Sequence, residues 1–229
     1  MCESVPTNVS GKATVAPFTV RVVTTGDRYF TRQILSCLHD REAFIDGGAH
    51  HGAVSTRFAQ IVKGRYEAIW AIEPDAKNLC RLRAQLEIMP GDDDVERVHV
   101  FSCALGERAG RQRFIDGLGY ASQLWEFGDR LVEVRPIDQL NVAPTFIKLH
   151  LEGGELAALK GALKTIEQYR PLVVATTYHN RLGLWETPDW AMNHLPEYVF
   201  LLRLHGWCGT GSVIYCIPKE RYHGVAERR

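Results

Sequence analysis

Several protein classes are excluded by what the sequence lacks. An excess of one charge is missing: 27 Lys and Arg balance 27 Asp and Glu, leaving a formal net charge of zero. Such a chain has no global basic field, so neither nucleic acid nor an anionic membrane surface is expected as a partner. No apolar run approaches the roughly 20 residues of a membrane-spanning helix. The opening segment MCESVPTNVSGKATVAP has neither the basic nor the apolar stretch of a secretory signal. It reads as a flexible arm over 1–17, and a cytoplasmic location is expected. The six cysteines (Cys2, Cys37, Cys80, Cys103, Cys208 and Cys216) form no C-x-x-C pair. Reduced, packed thiols are expected, and a structural zinc site is not. Internal repeats and low-complexity tracts are also missing.

What remains is ordinary globular material. Of 229 residues, 45% are hydrophobic and 24% charged, enough for one buried core. A single domain is expected over 18–229. Short apolar runs predict strands at 43–45, 68–72, 98–103, 145–151, 172–177, 198–204 and 212–217, with another at 18–23. Helical spacing predicts helices over 27–38, 54–62, around 79–86, 155–168 and 185–195. The stretch 106–140 reads as an irregular hairpin insertion. Alternation of strand and helix implies an α/β fold with a mostly parallel sheet and helices on both faces. The last two strands, joined by a short turn, predict an antiparallel edge hairpin. Ligands of such sheets bind beyond the carboxyl ends of the strands.

The first of those ends reads Asp46-Gly47-Gly48-Ala49-His50-His51-Gly52. Glycines between a buried strand and a helix let backbone approach a ligand closely. The dinucleotide fingerprint G-x-G-x-x-G fails, because Ala49 holds its second glycine place. That counts against a nicotinamide-dependent oxidoreductase. The spacing Asp46-x-Gly48-x-x-x-Gly52 resembles the first motif of S-adenosylmethionine-dependent methyltransferases. In that motif the glycines, here with Ala49 and His50 between them, make room for the cofactor's methionine part, and the acid holds its ammonium. About 20 residues on, Glu73 ends the second strand, where a carboxylate accepts hydrogen bonds from ribose hydroxyls. Pro74 and Asp75 fix the turn after it, and Asp75 can cap the next helix. Cys103 and Ala104, small residues at the third strand end, suit a flat adenine or plain packing.

The fourth strand end, Ile147-Lys148-Leu149-His150-Leu151-Glu152-Gly153-Gly154-Glu155-Leu156, buries charge that must pair or work. With Glu73-Pro74-Asp75 before it and the run through Tyr178-His179 after it, the pattern resembles the FkbM family of methyltransferases. The resemblance spans roughly 40–218. It implies a class I methyltransferase fold, Rossmann-like, with a seven-stranded sheet and S-adenosyl-L-methionine as cofactor. It also implies O-methylation of a small molecule or glycan, such as a sugar or secondary metabolite. Two places depart from the family pattern: His150 stands where Asp is usual, and His50 where Asn or an aromatic is usual.

Removing the acceptor's proton needs a base. His150 and His179 are both candidates, since a neutral imidazole accepts a proton near pH 7. Glu152 would orient a ring or accept a substrate hydroxyl, and Glu155 fits a helix-capping carboxylate. Purely structural roles for the two histidines are the competing view, and with them a non-catalytic cofactor-binding protein. No resident metal is expected, although His150, Glu152, Glu155 and His179 have the chemistry to bind one. Trp185 and Trp190 fit helix packing. Tyr120, Ser122 and Trp125, in the insertion, are candidates for acceptor contact.

Overall fold

The computed structural model describes residues 19–22, 27–87, 89, 97–117, 122–206 and 211–224. The arm expected over 1–17 lies outside the described residues, as do Cys2, Tyr120 and Cys208.

The chain runs through β1 (Thr19–Val22), α1 (Arg32–Leu35), β2 (Glu42–Gly47), α2 (Ala53–Ile61), β3 (Tyr66–Ile72), α3 (Ala76–Glu87) and β4 (Val98–Phe101). Four short strands follow: β5 (Ala104–Leu105), β6 (Gly110–Ile115), β7 (Gln123–Leu124) and β8 (Arg130–Arg135). The chain then returns through β9 (Phe146–Leu149), α4 (Glu155–Lys160), α5 (Leu163–Tyr169), β10 (Leu172–Thr176), α6 (Gly183–His194), β11 (Tyr198–Leu204) and β12 (Ser212–Pro218).

The main sheet has the order β1-β11-β12-β10-β9-β2-β3-β4. Every pairing in it is parallel except those of β12 with β10 and β11. Seven of these strands are the seven expected in the core. β1 is an eighth, parallel to β11, so the closing hairpin sits one strand in from the edge.

β2, β9 and β10 are buried along their whole length, which requires cover on both faces. Their side chains alternate between two apolar layers. Ile45, Ile147 and Val173 join one layer, while Phe44, Phe146 and Val174 join the other. In the second layer the Phe44 ring lies 4.5 Å from Phe58 and 4.9 Å from Phe146. Losing one such ring costs about 3–5 kcal/mol.

Two helices differ from the sequence reading. The helix expected over 27–38 is a single turn, α1, capped by Thr31, whose side chain accepts from the Ile34 N–H. The one expected over 155–168 breaks at Gly161-Ala162 into α4 and α5. The break is imposed from outside. Gly161 lies against Gly106, where a Cβ would come within 2.1 Å of the Gly106 carbonyl oxygen. Its own carbonyl accepts from the Asp138 N–H. The Asp138 carboxylate then starts α5, accepting from Thr165 N at 2.8 Å and Thr165 Oγ1 at 2.7 Å.

The segment between β4 and β9 folds into a small sheet, β5-β8-β6-β7. Ala104, Phe114, Val132 and Val134 form its separate apolar centre.

Candidate active site

The carboxyl ends of β2, β3, β9 and β10 meet at a cavity of about 680 Å³, which the small sheet also lines. That is an ordinary size for a small-molecule site.

Its floor is the turn after β2. Gly48 has φ +70, and a Cβ there would fall 2.0 Å from the His150 carbonyl oxygen. Gly48 and Ala49 both donate their N–H to the Ile72 carbonyl, which ties the turn to β3. Gly52 enters α2 with φ +84, pressed against Leu82 of α3. Gly48, Ala49 and His50 line the cavity; Gly52 supports it from behind.

Asp46, expected to touch the cofactor, is not among the residues that line the cavity. It is fully buried, and its two oxygens are taken by Lys148 Nζ at 2.7 Å and Ser55 Oγ at 2.7 Å. The parallel register sets Asp46 directly beside Lys148 on the neighbouring strand. Lys148 Nζ also donates to the carbonyls of Gly47 and Gly48, at 3.1 and 2.9 Å. This buried ion pair therefore pins the turn, and each charge has the partners its burial demands.

Glu73 lines the cavity at the end of β3. It accepts from His50 N at 2.8 Å and Asp75 N at 2.9 Å. Burial holds its carboxyl above the usual range, and these N–H groups oppose that by favouring the charged form. Pro74 lines the cavity, whereas Asp75 is turned away from it. Asp75 caps α3 through Lys77 N and Asn78 N, at 2.8 and 3.1 Å. Its other oxygen accepts from Gly117 N at 2.8 Å and Ser122 Oγ at 2.9 Å, which hooks the small sheet to the pocket. Cys103 and Ala104 are buried in the wall, and desolvation pushes the Cys103 thiol up to about 11. It is packing rather than a nucleophile. Cys37 and Cys216 are likewise buried, while Cys80 is exposed.

The remaining wall is a histidine–carboxylate cluster. His150 Nδ1 is hydrogen-bonded to the Tyr29 hydroxyl, and its Nε2 lies 2.9 Å from Glu152 Oε1. His179 Nε2 lies 3.3 Å from that same oxygen, and its Nδ1 lies 2.8 Å from Glu155 Oε1. The two imidazoles are 4.7 Å apart. Burial lowers the His150 pKa, only partly offset by Glu152, which favours the neutral ring. Burial would raise Glu155, but His179, Leu151 N and Thr176 Oγ1 outweigh it and hold the carboxyl low. Glu155 is therefore an anchor for its neighbours, not a free cap. The backbone bends to present Glu152, which has φ +50 beside Gly153 at φ +105.

The structure thus gathers His150, Glu152 and His179 at one end of the cavity and Glu73 at the other. Tyr29 and Arg28, which also line it, were not foreseen. They fall in the stretch that spacing assigned to a longer helix. Tyr178 joins them, accepting from Arg28 Nη1 at 3.2 Å. Of the insertion residues, Ser122, Gln123 and Leu124 line the cavity and Trp125 does not. Trp190 is buried, as helix packing predicts, but Trp185 is 71% exposed.

The cavity has the features expected for the cofactor: a glycine turn, a carboxylate at the end of β3 and small residues in the wall. Comparison with known proteins agrees. No curated protein sequence matches the chain. The crystal structure of methyltransferase FkbM from Methylobacillus flagellatus is similar, at 29% identity and a TM-score of 0.68. The match covers 84% of this chain but 48% of that one, so this chain spans about half its length. An rRNA methylase from Streptococcus thermophilus shares the fold, with 9% identity, a TM-score of 0.51 and coverage of 80% and 91%. The model of the methyltransferase FkbM domain matches residues 46–202. The chain therefore belongs to the FkbM family of methyltransferases, whose methyl donor is S-adenosylmethionine.

Proposed function

We propose that this chain transfers the methyl group of S-adenosylmethionine to a hydroxyl oxygen of a small molecule or glycan. The observation that carries this reading is a half-buried His150, held by Tyr29 and Glu152 within the same cavity as Glu73.

Bound in the cavity, the cofactor supplies an electrophilic methyl on a sulfonium; the protein must hold and deprotonate the acceptor. Glu73 accepts hydrogen bonds from the ribose hydroxyls, each worth roughly 1.5–3 kcal/mol. Gly48 and Ala49 bring backbone close to the ligand. On the acceptor side, His150 exchanges one of its present partners for the hydroxyl and takes its proton. Glu152 stabilises the imidazolium that forms. His179, anchored by Glu155, is the neighbouring proton acceptor. A positioned base of this kind contributes about 10²–10⁴-fold. Ser122, Gln123 and Leu124 close the acceptor side, so the small sheet selects the acceptor.

The test pairs two measurements. Calorimetry with S-adenosylhomocysteine should give one site per chain, weakened at least tenfold in Glu73→Ala. Labelled-methyl transfer to a panel of sugars, phenols and polyketide alcohols should then be reduced about 10²-fold or more in His150→Ala, with that affinity retained. Tight cofactor binding without transfer to any hydroxyl in the panel would overturn the acceptor assignment. Absence of binding would overturn the reading altogether.

A further inference from the structure

Two imidazoles and one carboxylate converge on a single point of the cavity wall. His150, Glu152 and His179 each offer one donor atom, and these three atoms lie within 4.8 Å of one another. The two Nε2 atoms lie 2.9 and 3.3 Å from Glu152 Oε1. Glu155 holds His179 by its Nδ1, which leaves the Nε2 side of the ring facing the Glu152 carboxylate. Two ring nitrogens and a carboxylate oxygen in that arrangement match the donor set of a metal site.

The surroundings point the same way. A metal-binding imidazole has its far nitrogen held by a carboxylate, a carbonyl or a similar group, which fixes the ring. Here His179 Nδ1 is held by Glu155 at 2.8 Å, and His150 Nδ1 by the Tyr29 hydroxyl. Glu155 is in turn fixed by Leu151 N at 2.9 Å, Gly153 N at 3.0 Å and Thr176 Oγ1 at 2.7 Å. The three donors themselves are only partly buried and border the cavity, which leaves coordination positions open toward it.

We propose that His150, Glu152 and His179 bind one divalent first-row transition metal ion, with an open side toward the acceptor. Two nitrogens and one oxygen suit zinc, cobalt, manganese or ferrous iron rather than magnesium or calcium. The role of the ion rests on the methyl transfer proposed above; its binding does not. In the loaded chain the acceptor hydroxyl coordinates the ion and its proton leaves to water. The O–CH₃ bond then forms as the S–CH₃ bond breaks, with the electron pair of the broken bond remaining on sulfur. Metal and transferred proton compete for the same two Nε2 atoms, so the imidazoles act as ligands in this state and as bases only without the ion.

The experiment titrates chelator-treated protein with Co²⁺ and follows the visible absorption. One equivalent should give a saturable band, displaced by Zn²⁺ and untouched by Mg²⁺. Glu152→Gln, nearly isosteric, and the His150→Ala/His179→Ala double variant should each lose the band. Glu155→Gln, which touches no ion, should weaken binding by about 10–100-fold through the loosened His179 ring. Binding of S-adenosylhomocysteine, measured on the same samples, reports that the variants are folded and that the cofactor pocket is intact. No cobalt band with that binding intact overturns the metal site alone. A band that persists in the double variant overturns it too. A band without any S-adenosylhomocysteine binding upholds the site and overturns the methyl-transfer reading.

Discussion

Gly48 is the residue on which the turn after β2 depends. Its left-handed φ and the His150 carbonyl, 2.0 Å from where a Cβ would sit, both forbid a side chain. Gly48→Ala should cost about 1–3 kcal/mol from the backbone conformation alone. It should also abolish S-adenosylhomocysteine binding, because the turn must move; urea unfolding and calorimetry check the two effects separately. His50 beside it, also left-handed, sets a pH dependence. Burial, then the neighbouring His51, lowers its pKa from 6.5 to about 4. Between those values the unfolded chain binds a proton that the native chain refuses. Stability therefore falls as pH drops from 6.5 toward 4, and is insensitive to this group above 6.5. The urea midpoint should decline from pH 7 to pH 5, and His50→Gln should flatten that decline. The motif residues themselves were legible in sequence, since glycine, acid and strand end are local features. The partnership of Asp46 with Lys148 was not. It depends on which strand lies beside β2, and no local pattern states that β9 does.

At the scale of elements, apolar runs located every strand of the main sheet, because burial on both faces leaves a continuous signal. Helix lengths were less legible, since their ends are set by contacts remote in sequence. Spacing ran 155–168 together; Gly106 and Asp138, on the segment before β9, divide it. Asp138→Ala should remove the cap of α5 and cost about 0.5–2 kcal/mol, read as a lowered melting temperature. The same blindness hid Tyr29. Its stretch has helical spacing, yet the chain turns there to bring the phenol under His150. Burial pushes that phenol's pKa up, so it remains protonated beside the imidazole.

Across the whole molecule, the described end of the chain is locked onto the front of the sheet. Arg221 donates to the Thr145 carbonyl at 2.7 Å and to the Cys37 carbonyl at 2.8 Å, and it also pairs with Glu42. Glu42 is 1% exposed and accepts from His39 N at 2.6 Å as well. Arg221→Ala would strand that carboxylate, and such losses cost about 3–5 kcal/mol. Chemical denaturation should register it, with Glu42→Gln/Arg221→Met recovering part of the loss. No helix among the described residues is long and apolar enough to cross a membrane.

Asp75 carries a consequence for how this scaffold can diversify. One carboxylate starts α3 on one side of the cavity and fastens the small sheet on the other. The two walls of the cavity thus share a hinge pin. Grafting a foreign insertion to change acceptor preference will succeed only if the graft brings its own amide and hydroxyl to that pin; otherwise a new taste in substrates arrives with a slackened grip on the methyl donor.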